Sequence, residues 1–296
     1  MQKLISYSTS ARDLFHPGEA DDIFDYGPAS TEEALCVEMS RLAYVRHEDN
    51  GGVPRLEKYL GRVSFTRGPL FNAKGTQGFV ASGRSSANTP VTVIAFRGTE
   101  PEETEDVAYD ALITPKAWTR GHVHEGFSNA FDPVRSAFVD AITNASGRLL
   151  ITGHSLGAAI ATLAASIVAE ARRADMLLCT IGSPRVGDEQ FAPSLAGVTH
   201  IRYAGACDAV TWLPPVLPFP RYQHHGALRC IDRNGKVHAF GSGEIAHDEA
   251  TPLRGGCTQF SDILNLHKVM GGLVPLRQLT DHAPINYMSA VWGLRA

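Results

Sequence analysis

The chain has 296 residues, a net charge of -4 and a composition close to that of an average globular protein. This length suits one large domain or two small ones, with enough residues to bury a core. The mildly acidic charge argues against a nucleic-acid-binding protein, in which a basic face is expected. No apolar run reaches the roughly 18 residues of a transmembrane helix, so we expect no stable membrane insertion.

The N-terminus and the cysteines bear on the cellular compartment. The apolar run at Leu4 and Ile5 is too short for the centre of a signal peptide, and acidic residues follow soon after it. An odd number of scattered cysteines without a CxxC pair indicates reduced, mostly buried thiols, with a single disulfide as the alternative. These cysteines are Cys36, Cys179, Cys207, Cys230 and Cys257. We therefore expect a cytoplasmic protein, with export by a route that needs no recognisable signal peptide as the alternative.

The first half of the chain contains one clear helix and two strands. Ser30, with Glu33 three residues later, forms a capping-box pattern that predicts the start of a helix. Leu35, Met39 and Leu42 then follow at roughly helical spacing. Residues 77–83 and 91–98 are rich in β-forming residues, and the second run is apolar enough to be a buried strand.

The second half alternates between helices and strands. Helices are predicted over 130–143 and 156–173, with strands at 149–152, 176–182 and 198–204. This β–α–β order implies an α/β fold with a mainly parallel sheet covered on both faces. Closing helices are predicted over 258–270 and 283–294. We expect a single domain over residues 1–296, with a late hairpin insert at about 226–240 around an Asn-Gly turn.

The stretch "LLITGHSLGAAIATLAA" carries the strongest chemical signal. A strand that turns sharply into a helix crowds the residues on either side of the corner, and Gly153 and Gly157 relieve that crowding. Ser155 would then project at the carboxyl edge of the sheet, above a helix N-terminus that favours negative charge. This arrangement suits a nucleophile that passes through an oxyanion. The alternative is a glycine-lined turn whose serine only caps the helix.

A serine nucleophile needs a histidine base and an acid that fixes the tautomer of the base. In this type of fold the chain order is serine, acid, histidine. Asp208 follows a predicted strand and is the first candidate for the acid, while Asp188 sits where a helix cap is expected. Spacing alone leaves six histidines open as the base: His224, His225, His238, His247, His267 and His282.

Several segments together resemble the class 3 lipases, the fungal-type lipase family of the α/β-hydrolase fold. The resemblance rests on six segments in the family's order between residues 91 and 288: "VTVIAFRGTE", "VHEGFSNAF", "ITGHSLGAAIATLAA", "CTIGSPRVGDEQFA", "HIRYAGACDAVTWLPP" and "DHAPINYM". One departure is that the tyrosine follows the histidine of the last segment by five residues, where the family has three. The hairpin insert is not part of the family pattern.

The resemblance implies a role for each matching residue. Ser155 corresponds to the nucleophile, Asp208 to the acid and His282 to the base, and Asp188 becomes structural. Thr99 and the backbone N–H of Leu156 correspond to the oxyanion hole. The segment at about 100–118 corresponds to the family's lid. It begins with the acidic run "EPEETED", so we expect its outer face to avoid anionic membranes and interfacial activation to be weak.

The sequence also suggests where a substrate binds. The apolar loop at 211–220, with Trp212 and Leu213, together with Trp118 and His154, could line an acyl groove, although these residues could equally be ordinary core or turn residues. No metal or organic cofactor is implied, because the histidines lack zinc spacing and no phosphate-binding glycine loop is present. The expected partner is a lipid or small ester, with transient contact at a lipid interface.

The resemblance therefore implies a serine carboxylic-ester hydrolase acting on acylglycerols through an acyl-enzyme. Three other types of enzyme fit the same scaffold: a carboxylesterase, a phospholipase A1 or a feruloyl esterase. A non-catalytic lipase-like binding module is an alternative from another functional class. The sequence decides neither acyl chain length nor oligomeric state.

Overall fold

The computed structural model of the chain describes residues 4–98, 114–171, 175–215, 221–254 and 280–296. Within these ranges, eight strands form one sheet in the order β1-β2-β3-β6-β7-β8-β9-β10, and a separate two-stranded ribbon joins β4 to β5. The strands are β1 (Thr66–Ala73), β2 (Thr76–Arg84), β3 (Pro90–Phe96), β4 (Pro115–Ala117), β5 (His122–His124), β6 (Arg148–His154), β7 (Met176–Ile181), β8 (Thr199–Gly205), β9 (Ala227–Ile231) and β10 (Val237–Ser242).

Helices cover both faces of this sheet. The α-helices among the described residues are α1 (Ala11–Phe15), α2 (Glu32–Leu42), α3 (Gly52–Arg62), α4 (Glu125–Phe131), α5 (Arg135–Thr143), α6 (Leu156–Glu170), α7 (Gly243–Glu249) and α8 (Pro284–Val291). Short 3₁₀ turns occur at Pro17–Glu19, Ile23–Tyr26, Asp132–Val134, Ala192–Leu195, Ala209–Trp212 and Thr251–Arg254. None of the described helices combines the length and apolarity needed to cross a bilayer.

The centre of the sheet is parallel. Strand β6 pairs in parallel with β3 and with β7, and β8 pairs in parallel with β7 and with β9. The flanking pairs β1–β2, β2–β3 and β9–β10 are antiparallel. Parallel strands are normally buried on both faces, which explains why the central strands appear in the sequence as continuous apolar runs. The α/β prediction is confirmed.

Side-chain alternation divides the core into two layers. Val93 and Ala95 on β3 pack with α2, α3 and α8, whereas Ile94 and Phe96 pack with α4, α5 and α6 on the opposite face. Helix α6 packs through alanines and a glycine that are buried along its length. Its small side chains let the helix lie close to the sheet, which fixes the position of the helix N-terminus relative to the end of β6.

Several details differ from the sequence-based expectations. Thr31 rather than Ser30 caps α2, because its hydroxyl accepts from the Ala34 N–H at 3.0 Å. The predicted helix over 130–143 is divided between α4, the 3₁₀ turn Asp132–Val134 and α5. The hairpin β9–β10 forms as predicted, and it extends the main sheet through β8. Most of the predicted lid, residues 100–113, and the predicted helix over 258–270 lie outside the described residues.

Candidate active site

Ser155 occupies a strained turn between β6 and α6. Its φ of 58° and ψ of -126° place a non-glycine residue in a region that L-amino acids rarely adopt. The Ser155 N–H donates to the Ile181 carbonyl at 3.0 Å, which ties the turn to the neighbouring strand β7. A Cβ at Gly153 would collide with the backbone of Gly157, as expected for a corner of this type. The turn therefore presents the hydroxyl at the carboxyl edge of the sheet.

Asp208 and His282 lie together although 74 residues separate them in the sequence. Asp208 follows β8 and His282 precedes α8, and the His282 Nδ1 is 2.8 Å from the Asp208 Oδ2. Gly182 makes this approach possible, because it has a φ of 56° and a Cβ there would lie 2.9 Å from Oδ2 and 3.0 Å from Nδ1. The histidine side chain is 11% exposed and the aspartate side chain is fully buried.

Two further donors complete the environment of the Asp208 carboxylate. The Val210 N–H donates to Oδ1 at 2.9 Å, and the Tyr287 hydroxyl donates to Oδ2 at 2.5 Å. The Tyr287 oxygen in turn accepts from the Gly205 N–H at 2.7 Å. Burial and the nearby Asp208 charge raise the pKa of Tyr287 well above its usual value, so the phenol keeps its proton. Both of these donors, the amide N–H and the phenol, are therefore neutral groups.

The residue before His282 is anchored to the N-terminal segment and to the loop that carries Asp208. Asp281 accepts from the Cys207 N–H at 3.0 Å and from the Tyr7 hydroxyl at 2.5 Å. Cys207 is the residue before Asp208, so the Asp281 carboxylate ties the loop of the acid to the loop of the base. These contacts fix the relative position of the two loops from the N-terminal side of the histidine.

Hydrogen-bond chemistry indicates which groups of this arrangement are available for a reaction. Because a carboxylate only accepts, the proton of neutral His282 lies on Nδ1, and Nε2 is left as the basic nitrogen. The first N–H groups of a helix have no partner within the helix, which makes the Leu156 N–H at the start of α6 available to an oxyanion. Thr99 lies outside the described residues. Its neighbour Gly98 is close to the serine, since a Cβ on Gly98 would lie 3.1 Å from the Ser155 Cβ.

Comparison with known proteins bears directly on this arrangement. The family profile described as "Lipase (class 3)" matches residues 93–217, which include Ser155 and Asp208. Over those residues, the chain is similar to the class 3 lipase family.

Two relatives share this similarity over part of their length. The chain is 36% identical over 105 residues to a secreted mono- and diacylglycerol lipase of Fusarium solani, covering 32% of this chain and 30% of that protein. It is 29% identical over 175 residues to a phospholipase A1-II 3 of Oryza sativa subsp. japonica, covering 47% of this chain and 42% of that protein. The chain therefore spans less than half the length of these two relatives.

The fold also matches that of a solved fungal lipase. The crystal structure of a lipase from Rhizopus microsporus var. chinensis superposes with a TM-score of 0.56 at 20% identity, covering 89% of this chain and 94% of that one. This likeness supports the α/β-hydrolase fold for this chain.

The alternative site residues that the sequence offered have other environments in the structure. Asp188 accepts from the Phe191 N–H at 2.9 Å and lies 3.0 Å from the His122 Nδ1, so it caps a turn. His224 contacts the Thr211 carbonyl at 2.8 Å, His238 contacts Asp232 at 2.8 Å, and His247 packs on Trp212. His225 packs on Phe191, and His267 lies outside the described residues.

Two predicted substrate-binding residues require correction. The Trp118 indole N–H donates to the Ser166 hydroxyl at 3.0 Å, and Arg135 stacks on its ring. Ser166 is eleven residues along α6 from Ser155, or about 16 Å, so Trp118 lies against the wrong part of the helix for an acyl groove beside Ser155. His154 is 2% exposed, and both of its ring nitrogens have hydrogen-bond partners within the protein. It therefore offers a substrate neither an exposed surface nor a donor.

The remaining two predicted groove residues lie in the loop after the acid. Trp212 ends the 3₁₀ turn that begins at Ala209, and its ring packs edge-on against His247 at 4.8 Å. Leu213 is half-buried, and its backbone carbonyl accepts from the Arg185 N–H at 2.7 Å. Their proximity to Asp208 is compatible with a groove, and their role in substrate binding stays a prediction.

The structure distinguishes the free cysteines from a bonded one. Cys36, Cys179 and Cys230 are buried free thiols, as predicted. Cys207 is disulfide-bonded, and its partner lies outside the described residues. The cytoplasmic location expected from the sequence stays a prediction. Within the described ranges, no three His, Cys, Asp or Glu side chains converge as a metal site would require.

Sequence reasoning missed two residues that support the site. Tyr287 was visible only as a tyrosine displaced from the family spacing, yet its hydroxyl reaches the Asp208 carboxylate. Tyr44 carried no local signal, because it lies at the end of an ordinary amphipathic helix, 110 residues before its partner His154.

Proposed function

We propose that this protein is a serine carboxylic-ester hydrolase that works through an acyl-enzyme. The observation that carries the proposal is the 2.8 Å contact between Asp208 and the His282 Nδ1, at the sheet edge where the strained turn presents Ser155. A buried carboxylate paired with a histidine beside a serine on such a turn is the arrangement that nucleophilic acyl transfer requires.

The geometry gives each residue one task. The His282 Nε2 takes the Ser155 proton while the serine oxygen attacks the ester carbonyl, and the imidazolium that forms keeps its Nδ1 proton on Asp208. The Leu156 N–H, with Thr99 as the predicted second donor, stabilises the oxyanion. The imidazolium then protonates the leaving alcohol. Water next attacks the acyl-enzyme while the His282 Nε2 takes its proton, and return of that proton to Ser155 releases the acid.

We propose acylglycerols as the substrate class. The sequence similarity to a mono- and diacylglycerol lipase supports this choice. The similarity to a phospholipase A1 supports a second candidate, hydrolysis of a phospholipid at its first acyl position. Both reactions use the same Ser155, Asp208 and His282, so they differ only in the groove that receives the lipid.

The experiment compares the parent protein with Ser155→Ala on soluble p-nitrophenyl esters. Loss of a serine nucleophile costs on the order of 10⁶ in kcat, so the variant should fall to background while keeping its circular dichroism spectrum. Activity that persists in the variant would remove Ser155 from the mechanism. A parent that is inactive on every ester and unreactive to fluorophosphonates would favour the binding-module alternative.

Substrate class is tested on the active parent with a series of acyl chain lengths, supplied as monomers and as emulsions, beside phosphatidylcholine vesicles. A lipase with a weakly activated lid should gain little at the emulsion interface. Preference for phosphatidylcholine over monoacylglycerol and diacylglycerol would move the assignment to the phospholipase.

A further inference from the structure

A second hydrogen-bond chain reaches His282 through its main chain. The His154 Nε2 lies 2.7 Å from the His282 carbonyl oxygen, and the His154 Nδ1 lies 2.8 Å from the Tyr44 hydroxyl. The His154 and His282 rings are stacked obliquely with centroids 4.4 Å apart. This chain runs from the end of α2, through the residue next to Ser155, to the peptide of the base.

Hydrogen-bond chemistry fixes the direction of this chain. A carbonyl oxygen can only accept, so the His154 Nε2 must carry a proton. Burial, with the neighbouring His282, holds the pKa of His154 well below its usual range, so the ring is neutral. The neutral ring has no second proton, and Nδ1 therefore accepts from the Tyr44 hydroxyl. Only one arrangement of protons satisfies all three groups.

The arrangement restrains the base at a point that Asp208 does not reach. Asp208 holds the ring of His282 through Nδ1, whereas His154 holds the peptide from which the ring hangs. His154 and Ser155 are consecutive residues on one strained turn, so the anchor of the base and the nucleophile are set by the same piece of backbone. A shift of the His282 peptide would change the distance that the proton has to travel.

We propose that Tyr44 and His154 form a positioning pair that holds the His282 peptide so that its ring meets the Ser155 hydroxyl. The proposal rests on the proposed serine hydrolase function, and it replaces the substrate-binding role that the sequence suggested for His154. Neither residue touches the reacting atoms in this role.

The test combines kinetics with proton NMR on four variants. His154→Ala removes the donor to the His282 carbonyl, while His154→Gln keeps a side-chain N–H that can reach it. Tyr44→Phe removes only the hydroxyl. His47→Gln is the matched control, because the His47 Nε2 is also buried against a backbone carbonyl, that of Phe71 at 3.1 Å, in the edge strand β1.

We expect kcat on a soluble ester to fall by up to about 10²-fold in His154→Ala with KM nearly unchanged, since misplacement of a catalytic group acts on the chemical step. His154→Gln should recover most of the loss. Tyr44→Phe should lose about 3- to 10-fold, because His154 then has one unpaired nitrogen. The low-field proton resonance of the Asp208–His282 hydrogen bond should broaden or vanish in His154→Ala and persist in His47→Gln, whose kcat should equal that of the parent.

The outcomes separate positioning from other roles. A raised KM with unchanged kcat in His154→Ala would return His154 to substrate binding and overturn the proposal. A lowered melting temperature with parental kcat and an intact low-field resonance would show a structural role only, which also overturns it. If His154→Ala does not fold, the Tyr44→Phe and His154→Gln results decide by the same criteria.

Failure of the parent itself has a different signature. A parent protein that neither hydrolyses esters nor reacts at Ser155 would refute the proposed function. In that case the NMR comparison still reports whether His154 restrains His282.

Discussion

Two buried carboxylates in this molecule have opposite surroundings. Glu38 on α2 is fully buried. Its carboxylate accepts hydrogen bonds from the Arg41 Nη2 at 2.6 Å, from the Arg41 Nε at 2.8 Å and from the Ile23 N–H at 3.0 Å. Asp208 is equally buried, yet its partners are the Val210 N–H, the Tyr287 hydroxyl and the His282 ring. One carboxylate faces a permanent cation, and the other faces an amide N–H, a phenol and an imidazole that can gain a proton.

This difference separates a structural pair from a reactive one. The remaining N–H groups of Arg41 donate to the carbonyls of Pro17, Ala20 and Asp21, so the pair pins the N-terminal segment. Nothing in that cluster gains by moving a proton. Asp208 is compensated fully only when His282 becomes an imidazolium, which is the state that proton transfer from Ser155 creates. The same burial therefore stabilises the fold at one site and favours charge separation at the other.

Replacing each carboxylate by its amide tests the difference between Glu38 and Asp208 most directly. Asp208→Asn should lower kcat by ~10⁴, or about 5.5 kcal/mol of transition-state stabilisation, because the amide can favour the wrong tautomer of His282. The melting temperature should change little, since the amide oxygen can still accept from Val210. Steady-state kinetics and calorimetry on the same preparation check both points. A loss of less than tenfold would mean that the Asp208 charge does not assist the base.

The same change at Glu38 should act on stability alone. Glu38→Gln leaves the buried Arg41 without its counter-charge, and removing one partner of a buried pair typically costs about 3–5 kcal/mol. Urea unfolding measures this loss, while kcat per folded molecule should stay at the parental value.

A surface pair provides the matched control for Glu38. Asp132 pairs with Arg135 at the same i,i+3 spacing at 2.8 Å, but with both side chains about 40% exposed. Asp132→Asn should therefore cost at most about 1 kcal/mol. Equal destabilisation by Glu38→Gln and Asp132→Asn would contradict the assigned role of burial.

Tyr287→Phe tests how much the second donor to Asp208 contributes. The substitution removes the 2.5 Å hydrogen bond to Oδ2 and leaves the buried Gly205 N–H without its acceptor. An unsatisfied buried group typically costs about 1–3 kcal/mol of stability, and kcat should fall by roughly tenfold. Kinetics and urea unfolding on this one variant measure the two effects. An unchanged kcat would make Tyr287 a purely structural residue.

Buried neutral histidines predict how the fold responds to acid. Burial, helped by Arg202 and His225, lowers the pKa of His200 to about 3, whereas an unfolded histidine titrates near 6.5. Between pH 6.5 and pH 3, His200 therefore binds a proton in the unfolded chain but not in the folded chain. The stability that the neutral ring contributes above pH 6.5 is lost as the pH falls toward 3. The slope is up to about 1.4 kcal/mol per pH unit for each such histidine. His200→Gln should flatten the fall measured by urea unfolding between pH 7 and pH 5, and an unchanged slope would contradict the burial argument.

Local patterns made much of the sheet and the turn at Ser155 predictable. Strands β3, β6 and β7 are buried on both faces, so they appear as largely apolar runs, and glycines mark the corner around Ser155. Strand β1 was missed because Gly68 and Pro69 interrupt its pattern. Helix α3 was missed because Gly51, Gly52 and Pro54 resemble a turn, although Leu56, Tyr59 and Leu60 carry helical spacing.

The contacts that surround the site were beyond sequence reasoning for a different reason. The partners in the pairs Tyr44–His154, Tyr7–Asp281 and Tyr287–Asp208 are 110, 274 and 79 residues apart. A hydroxyl finds such a partner only through the packed geometry of the whole fold, and a tyrosine in a helix has the same local pattern whether it packs or donates. The family resemblance supplied Asp208 and His282, but not the groups that hold them.

Covalent labelling with a fluorophosphonate, followed by peptide mass spectrometry, tests the central claim most directly. We predict one label on Ser155 in the parent, none on Ser155→Ala, and slow labelling of Asp208→Asn. Labelling depends on Asp208 because Ser155 reacts only when His282 takes its proton. Labelling at another residue, or equal labelling rates in the parent and Asp208→Asn, would contradict a serine activated by Asp208 and His282.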